Sequence, residues 1–413
     1  MPFSHIVSAP PASPRPDRRR PGARPLAGPV SALLLAALLL GCAAARQASS
    51  DPPASACAPA AEDAGGSPPL LGDGWPVSDP AAEKIDPEPL AELTAAIEGG
   101  EFTKLDSVLV ARNGRLAFEA YFNGFAVDKL HDTRSSFKSV TSILIGIALD
   151  RGLIAEVDAP ILPMFPQYAE IDNWSESKRA ITLAHLLTMT PGFDAEENHG
   201  VGPWREDDMW RARDWIKFTL DLPMAYAPGS QFAYNTPTSV LLGGVLRQAS
   251  GEPVPDFARE ALFEPLCITR YRWSFSPTGQ AMTGGSFFIR PRDLAKFGQL
   301  FLDGGVWKGK RIVSEAWVKE STRRRVASLP PGTEKPPEAA VIGYGYHWWT
   351  RWGFPGLPGT TNYFASGNGG QKIFVFPRRD LVVVFTGSHY NEPIGHRQPM
   401  QILERFILPA LQD

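Results

Sequence analysis

Between Arg134 and Gly152 the chain passes from polar to apolar. Arg134, Ser135, Ser136 and Lys138 open the stretch, and Ile143, Leu144, Ile147 and Ala148 then recur at the three-and-four spacing of a helix with a buried face. Gly152 is placed to end that helix in a left-handed turn. The pattern predicts a core helix over 135–151. On its N-terminal side, Leu105–Ala111 and Arg115–Phe122 read as strands about Asn113-Gly114, a pair suited to a tight hairpin turn. On its C-terminal side come helical stretches at 182–188, 239–250, 253–264 and 293–302. Strand patterns return at 344–349, 363–366, 371–376 and 381–386, before a closing helix at 393–408. Strands at both chain ends and helices between them predict an α+β fold. One antiparallel sheet is built from about 83–130 and 340–413, flanked by helices, with a helical subdomain inserted at about 150–285.

The first 80 residues carry no such period. Arg18, Arg19, Arg20 and Arg24 precede the apolar run Val30 to Leu40, which is too short to span a bilayer and suits a secretory signal. The run ends Leu39-Leu40-Gly41-Cys42, a pattern that resembles a bacterial lipoprotein signal. The expectation is a signal peptide over 1–41, a lipidated Cys42, and a flexible Ala/Pro-rich tether over 42–82 leading to a globular domain at 83–413. This places the protein at the bacterial cell envelope, on the periplasmic or extracellular side, held to a membrane only through the lipid. Lys and Arg total 41 against 44 Asp and Glu, a balance that gives no reason to expect a nucleic-acid partner. No His/Cys/Asp cluster has the spacing of a metal site, and neither a metal nor a cofactor is expected.

Candidate chemistry begins at the opening of the central helix. Ser135 and Lys138 stand one turn apart on one helix face. A serine hydroxyl is a weak nucleophile until a base takes its proton. A lysine desolvated by an apolar helix can be that base when it is neutral, and free N–H groups at the helix start can meet an oxyanion. The same Ser-x-x-Lys spacing recurs at Ser175 and Lys178, but in a charged stretch that reads as a solvated turn. His185 lies within the predicted helix 182–188 and reads as structural. The acidic, Trp-rich segment 196–215 reads as a lid or pocket wall, and 323–339 as an exposed loop.

With Ser135 and Lys138 as a first motif, two later segments fall into place. Pro228-Gly229 followed by Phe232 and Tyr234, ahead of an apolar helix, resembles the second motif of the class C β-lactamase superfamily. The third residue of that motif is usually Asn; here it is Thr236, and Asn235 comes one place early. Ala365-Ser366-Gly367-Asn368-Gly369-Gly370 occupies the place of the third motif, without the lysine or histidine found there in many members. Together with Thr182–Gly192 and Gly369-Gly370-Gln371-Lys372-Ile373, these segments make residues 83–410 similar to the β-lactamase-related serine hydrolases, in particular the esterase and 6-aminohexanoate-dimer hydrolase-like branch. The resemblance implies a β-lactamase/transpeptidase-like fold and acyl-enzyme hydrolysis of a small ester or amide. Ser135 would be the nucleophile, and Lys138 and Tyr234 would handle its proton. The N–H groups of Ser135 and Asn368 would form the oxyanion hole, in a substrate site that includes Gly367 and Gly369. The missing cation disfavours carboxylate-bearing substrates. The alternatives are a β-lactamase or D-alanyl carboxypeptidase, and an inactive peptidoglycan-binding lipoprotein.

Overall fold

A computed structural model describes residues 68–69, 71–197, 204, 206–327, 341–354 and 357–412. The expected signal, Cys42 and most of the expected tether lie outside these residues. In chain order the elements are helix α1 (Pro87–Glu98), the hairpin β1 (Leu105–Arg112) and β2 (Arg115–Tyr121), the short β3 (His131–Asp132), and α2 (Phe137–Asp150). Helices α3 (Leu183–Leu187), α4 (Glu206–Arg211), α5 (Trp215–Asp221), α6 (Thr236–Ser250) and α7 (Val254–Ala258) make up the insertion. Then follow β4 (Tyr271–Arg272), β5 (Phe288–Ile289), α8 (Pro291–Leu302), the hairpin β6 (Val306–Trp307) and β7 (Lys310–Arg311), and α9 (Glu315–Thr322). Strands β8 (Val326–Ala327), β9 (Val341–Tyr344), β10 (Trp349–Phe354), β11 (Leu357–Gly367), β12 (Gln371–Phe376) and β13 (Leu381–Gly387) precede the closing helix α10 (Ile394–Ile402).

The sheet has eight strands in the order β2-β1-β13-β12-β11-β10-β9-β8, with each neighbouring pair antiparallel. Pairing of β1 with β13 joins the two chain ends, as the sequence predicts. The central strands read as unbroken apolar runs because helices cover both faces, yet their side chains still alternate. Phe374, Phe376, Val383 and Phe385 face α1 and α10, meeting Leu93, Ile97, Ile402 and Phe406. Ile373, Val375, Val382 and Val384 face the other way, toward α2 and α8, among Ile143, Phe297 and Leu300. Each such side chain contributes roughly 1.5–3 kcal/mol by leaving water. The α2 segment is therefore clamped between the sheet and the inserted helices. The 3-10 turn Arg134–Ser136 just ahead of it, where Ser135 sits, inherits that rigidity.

The Asn113-Gly114 turn is as expected: φ is 53° at Asn113 and 76° at Gly114, the paired positive values of a tight hairpin. Two expectations need correction. The folded domain starts about ten residues before position 83. Trp75 is buried, its indole donates to Gly114 O (3.1 Å), and Asp73 O accepts from Lys296 Nζ (2.9 Å). One large aromatic anchors a stretch with no hydrophobic period. The expected strand 344–349 is instead two strands joined by a turn at 345–348. There His347, at φ 60°, bonds Leu187 O through Nδ1 (2.9 Å) and Ser239 Oγ through Nε2 (2.9 Å), while its own carbonyl accepts from Ser139 Oγ (2.6 Å). This histidine pins α2, α3 and α6 to the sheet edge.

Candidate active site

The residue before Ser135 is strained. Arg134 has φ 46°, a left-handed value costly for a side chain of its size, and it opens a single 3-10 turn, Arg134–Ser136, ahead of α2. That turn lifts Ser135 to the wall of a cavity of about 570 Å³, lined also by Glu197, Glu206, Tyr234, Trp349, Ser366, Gly367, Asn368, Asn391, Glu392, Pro393 and His396. The sheet backs the turn closely. A Cβ at Gly367 would stand 2.5 Å from Thr133 O and 3.1 Å from Arg134 Cβ. Glycine is required here by the packing of β11 against the Ser135 turn.

Lys138 is 1% exposed and meets three oxygens: Ser135 Oγ at 3.1 Å, Thr236 Oγ1 at 3.0 Å and Gly284 O at 2.6 Å. Burial pushes its amine below the ordinary lysine range, against the opposing pull of Glu197 and Glu206. Tyr234 hydrogen-bonds Ser135, and its ring lies 5.1 Å from Lys138 Nζ. Packed among Tyr344 and Trp349, the phenol is pushed above its ordinary value by burial, which favours the hydroxyl over the phenolate. The three residues expected to act together are thus brought together. Asn235 is not part of the group: its side chain caps α6, Oδ1 accepting from Thr238 N (2.9 Å).

Two site features had no sequence signal. Glu197 accepts from Thr236 N (2.6 Å) and from Thr236 Oγ1 (3.0 Å), and its own N–H donates to Tyr234 O (2.9 Å). Burial pushes its carboxyl up to about 7, with Lys138 opposing and Glu206 adding to the rise. It lies in the segment read as a lid or wall. The second feature corrects the expectation that the third motif has no cation. Ser366 on β11 pairs with Lys372 on β12, and Lys372 Nζ donates to Ser366 Oγ at 2.6 Å, with His396 Nδ1 at 3.3 Å. The lysine comes from the next strand, so no motif spacing announces it.

Asn368 holds Asn391 through both side-chain atoms, Nδ2 to Asn391 Oδ1 (2.6 Å) and Oδ1 from Asn391 N (2.7 Å). Gly369 lies one step further round, its carbonyl accepting from His389 N (3.2 Å). Arg378 and Arg379 stay in the β12–β13 turn. The second Ser-x-x-Lys is not a site, although it is no solvated turn. Lys178 is buried and donates to Asp172 O (3.1 Å) and Leu220 O (2.7 Å), while Ser175 turns to Ser177 (2.7 Å). His185 is structural as expected, Nδ1 accepting from Thr182 N (3.2 Å) in a capping box. Tyr121 donates to Glu119 (2.8 Å) on β2. Among the described residues, no cluster of His, Cys, Asp or Glu is built to hold a metal ion, and no helix is long and apolar enough to cross a membrane.

Comparison with known proteins agrees with the fold. The 6-aminohexanoate-dimer hydrolase of Paenarthrobacter ureafaciens is 27% identical over 317 residues, covering 73% of this chain and 77% of that one. A putative 6-aminohexanoate-dimer hydrolase from Bacillus anthracis shares the fold at TM-score 0.61 and 21% identity, over 78% of this chain and 83% of its own. A family VIII carboxylesterase does so at TM-score 0.62 and 17% identity, over 81% and 99%. The Beta-lactamase family model matches residues 101–404, and the chain therefore belongs to the Beta-lactamase family of serine hydrolases.

Proposed function

We propose that the protein hydrolyses small, uncharged esters or amides through an acyl-enzyme on Ser135. The observation that carries this reading is the threefold bonding of Lys138. Gly284 O can only accept, so one amine hydrogen goes there. Thr236 Oγ1 takes a second. In the neutral amine the remaining direction, toward Ser135, is the lone pair, placed to accept the serine proton. Ser135 Oγ then bonds the substrate carbonyl carbon. The oxyanion meets the N–H groups of Ser135 and Asn368. Collapse breaks the bond to the leaving group, which takes its proton from Lys138 by way of the Tyr234 hydroxyl. Water, deprotonated by the same amine, adds to the acyl carbon; the bond to Ser135 Oγ breaks as the amine returns its proton to that oxygen, and the acid is released.

The preference for uncharged substrates follows from the cavity wall. Among its described lining residues are Glu197, Glu206 and Glu392, with no lysine or arginine. A second reading, a carboxylate-bearing substrate such as a β-lactam or D-alanyl peptide, is favoured by Lys372 behind Ser366. At the N-terminus, Leu39-Leu40-Gly41-Cys42 supports a lipid anchor that would hold the enzyme at the cell envelope. The test is a turnover panel of p-nitrophenyl esters, short amides and nitrocefin at mildly alkaline pH. The short neutral esters should turn over fastest. Nitrocefin as the best substrate would replace this reading with the second one.

A further inference from the structure

Thr236, two places after Tyr234, is held by a carboxylate outside all three motifs. Thr236 Oγ1 lies 3.0 Å from Lys138 Nζ and 3.0 Å from Glu197 Oε2, and the Thr236 N–H is 2.6 Å from Glu197 Oε1. A hydroxyl carries one hydrogen. An ionised carboxylate only accepts, so the threonine must give its hydrogen to Glu197. It then has only lone pairs to offer Lys138, and must receive from it. Gly284 O imposes the same polarity from another side. An asparagine would need no such help, since its carbonyl oxygen accepts whatever lies behind it. Threonine has no fixed polarity, and something must set it.

We infer that Glu197 is a positioning residue for catalysis, which, by accepting the Thr236 hydroxyl hydrogen, fixes the direction of the Thr236–Lys138 hydrogen bond and aims the Lys138 lone pair at Ser135. The inference rests on Lys138 acting as the base. Glu197 touches neither Ser135 nor the reacting atoms. It is itself fixed, its N–H held by Tyr234 O (2.9 Å), so one short segment orients both the lysine's partner and the tyrosine's backbone. Reversing the hydrogen bond would turn the threonine hydrogen toward Lys138. The lone pair would then be spent on Thr236, leaving Ser135 without a base. No atoms or charges are gained or lost in this reversal; only the threonine hydrogen changes sides.

Glu197→Gln performs the reversal with almost no change of shape. The Gln Oε1 still accepts the Thr236 N–H, so its Nε2 faces Thr236 Oγ1 and donates to it. The hydroxyl hydrogen then has no carboxylate to go to, and of the two partners of Thr236 Oγ1 only the neutral Lys138 amine is left to accept it. At pH 8.5, above the Glu197 value of about 7, kcat for a p-nitrophenyl ester should fall about a hundredfold, with KM almost unchanged, because a general base contributes on the order of 10²–10⁴ in rate. Thr236→Val removes the switch, and adding Glu197→Gln to it should cost little more. In a Thr236→Asn background the amide supplies its own polarity, and Glu197→Gln should lose little further activity. Lys138→Ala is measured alongside. If it stays active, Lys138 is not the base and the reading beneath the inference falls. If it is inactive while Glu197→Gln keeps the wild-type kcat, the inference alone is overturned. A full, additive loss from Glu197→Gln in the Val and Asn backgrounds would overturn it too, by showing that Glu197 acts by a route other than Thr236.

Discussion

Replacing Lys372 with methionine should change which substrates the enzyme accepts and, at the same time, stabilise it. Lys372 is 4% exposed, donates to Ser366 Oγ at 2.6 Å, and has no carboxylate partner among the described residues. Burial pushes its amine down to about 7. Below that pH it is an ammonium that polarises a hydroxyl on the cavity wall; above it the amine is neutral. A hydrogen bond to a charged group is worth roughly 1.5–3 kcal/mol. Because the charge acts through Ser366, the lower figure applies, about tenfold in kcat/KM. The assay compares a neutral p-nitrophenyl ester with the matching ester bearing a terminal carboxylate, at about pH 6 and about pH 9. In wild type the neutral ester should lead at high pH, and its lead should shrink about tenfold at low pH. In Lys372→Met that shift should be about tenfold smaller, what remains coming from Glu197 on the same wall, whose carboxyl is pushed up to about 7. The stability effect has a definite sign. The unfolded lysine titrates near 10.4, so between about 7 and 10.4 the unfolded chain binds more protons and stability rises with pH. The destabilisation is complete below about 7 and gone above 10.4. Lys372→Met should therefore raise Tm most at low pH. A substrate ratio independent of pH in wild type, or equal pH dependence in the mutant, would refute this account.

Three further outcomes follow. Lys138→Ala, Tyr234→Phe and the double mutant should all be severely slow, the double hardly worse than the worse single, since groups acting as one unit do not divide the rate between them; full additivity in steady-state kinetics would separate their roles. Gly367→Ala should cost about 1–3 kcal/mol in denaturant unfolding and disturb the Ser135 turn, because its Cβ would stand 2.5 Å from Thr133 O; unchanged stability and activity would contradict the packing described. Radiolabelled palmitate should enter the wild-type protein in bacterial cells and not Cys42→Ser, and equal labelling would rule out the anchor.

What the sequence made legible was whatever is local in the chain. Ser135 and Lys138 share a helix turn, Asn113-Gly114 is a turn by itself, and the α2 face repeats at helical spacing; each can be read without the fold. Tyr234 was legible by its order in a motif, and the Thr236 departure was visible, but its consequence was not. Glu197 reaches Thr236 across 39 positions, and no local pattern marks a carboxylate as facing one threonine. Lys372 was hidden by strand register: only the pairing of Ser366 with Lys372 shows that a cation has returned to the third motif from the neighbouring strand. Lys178 misled in the opposite sense. Its charged neighbours suggested solvent, whereas two backbone carbonyls made burial tolerable. The early start of the domain rests on Trp75 and the Asp73 carbonyl, and isolated anchors leave no period to detect.

The most direct test of the central claim is to trap the acyl-enzyme. The protein is incubated with a fluorophosphonate, or quenched during turnover of a slow ester, and the modified peptide is located by mass spectrometry. The account predicts one adduct, on Ser135, abolished together with turnover in a Ser135→Ala protein that folds normally. An adduct on Ser136, Ser139 or Ser175, or a Ser135→Ala protein that still turns over ester, would contradict it.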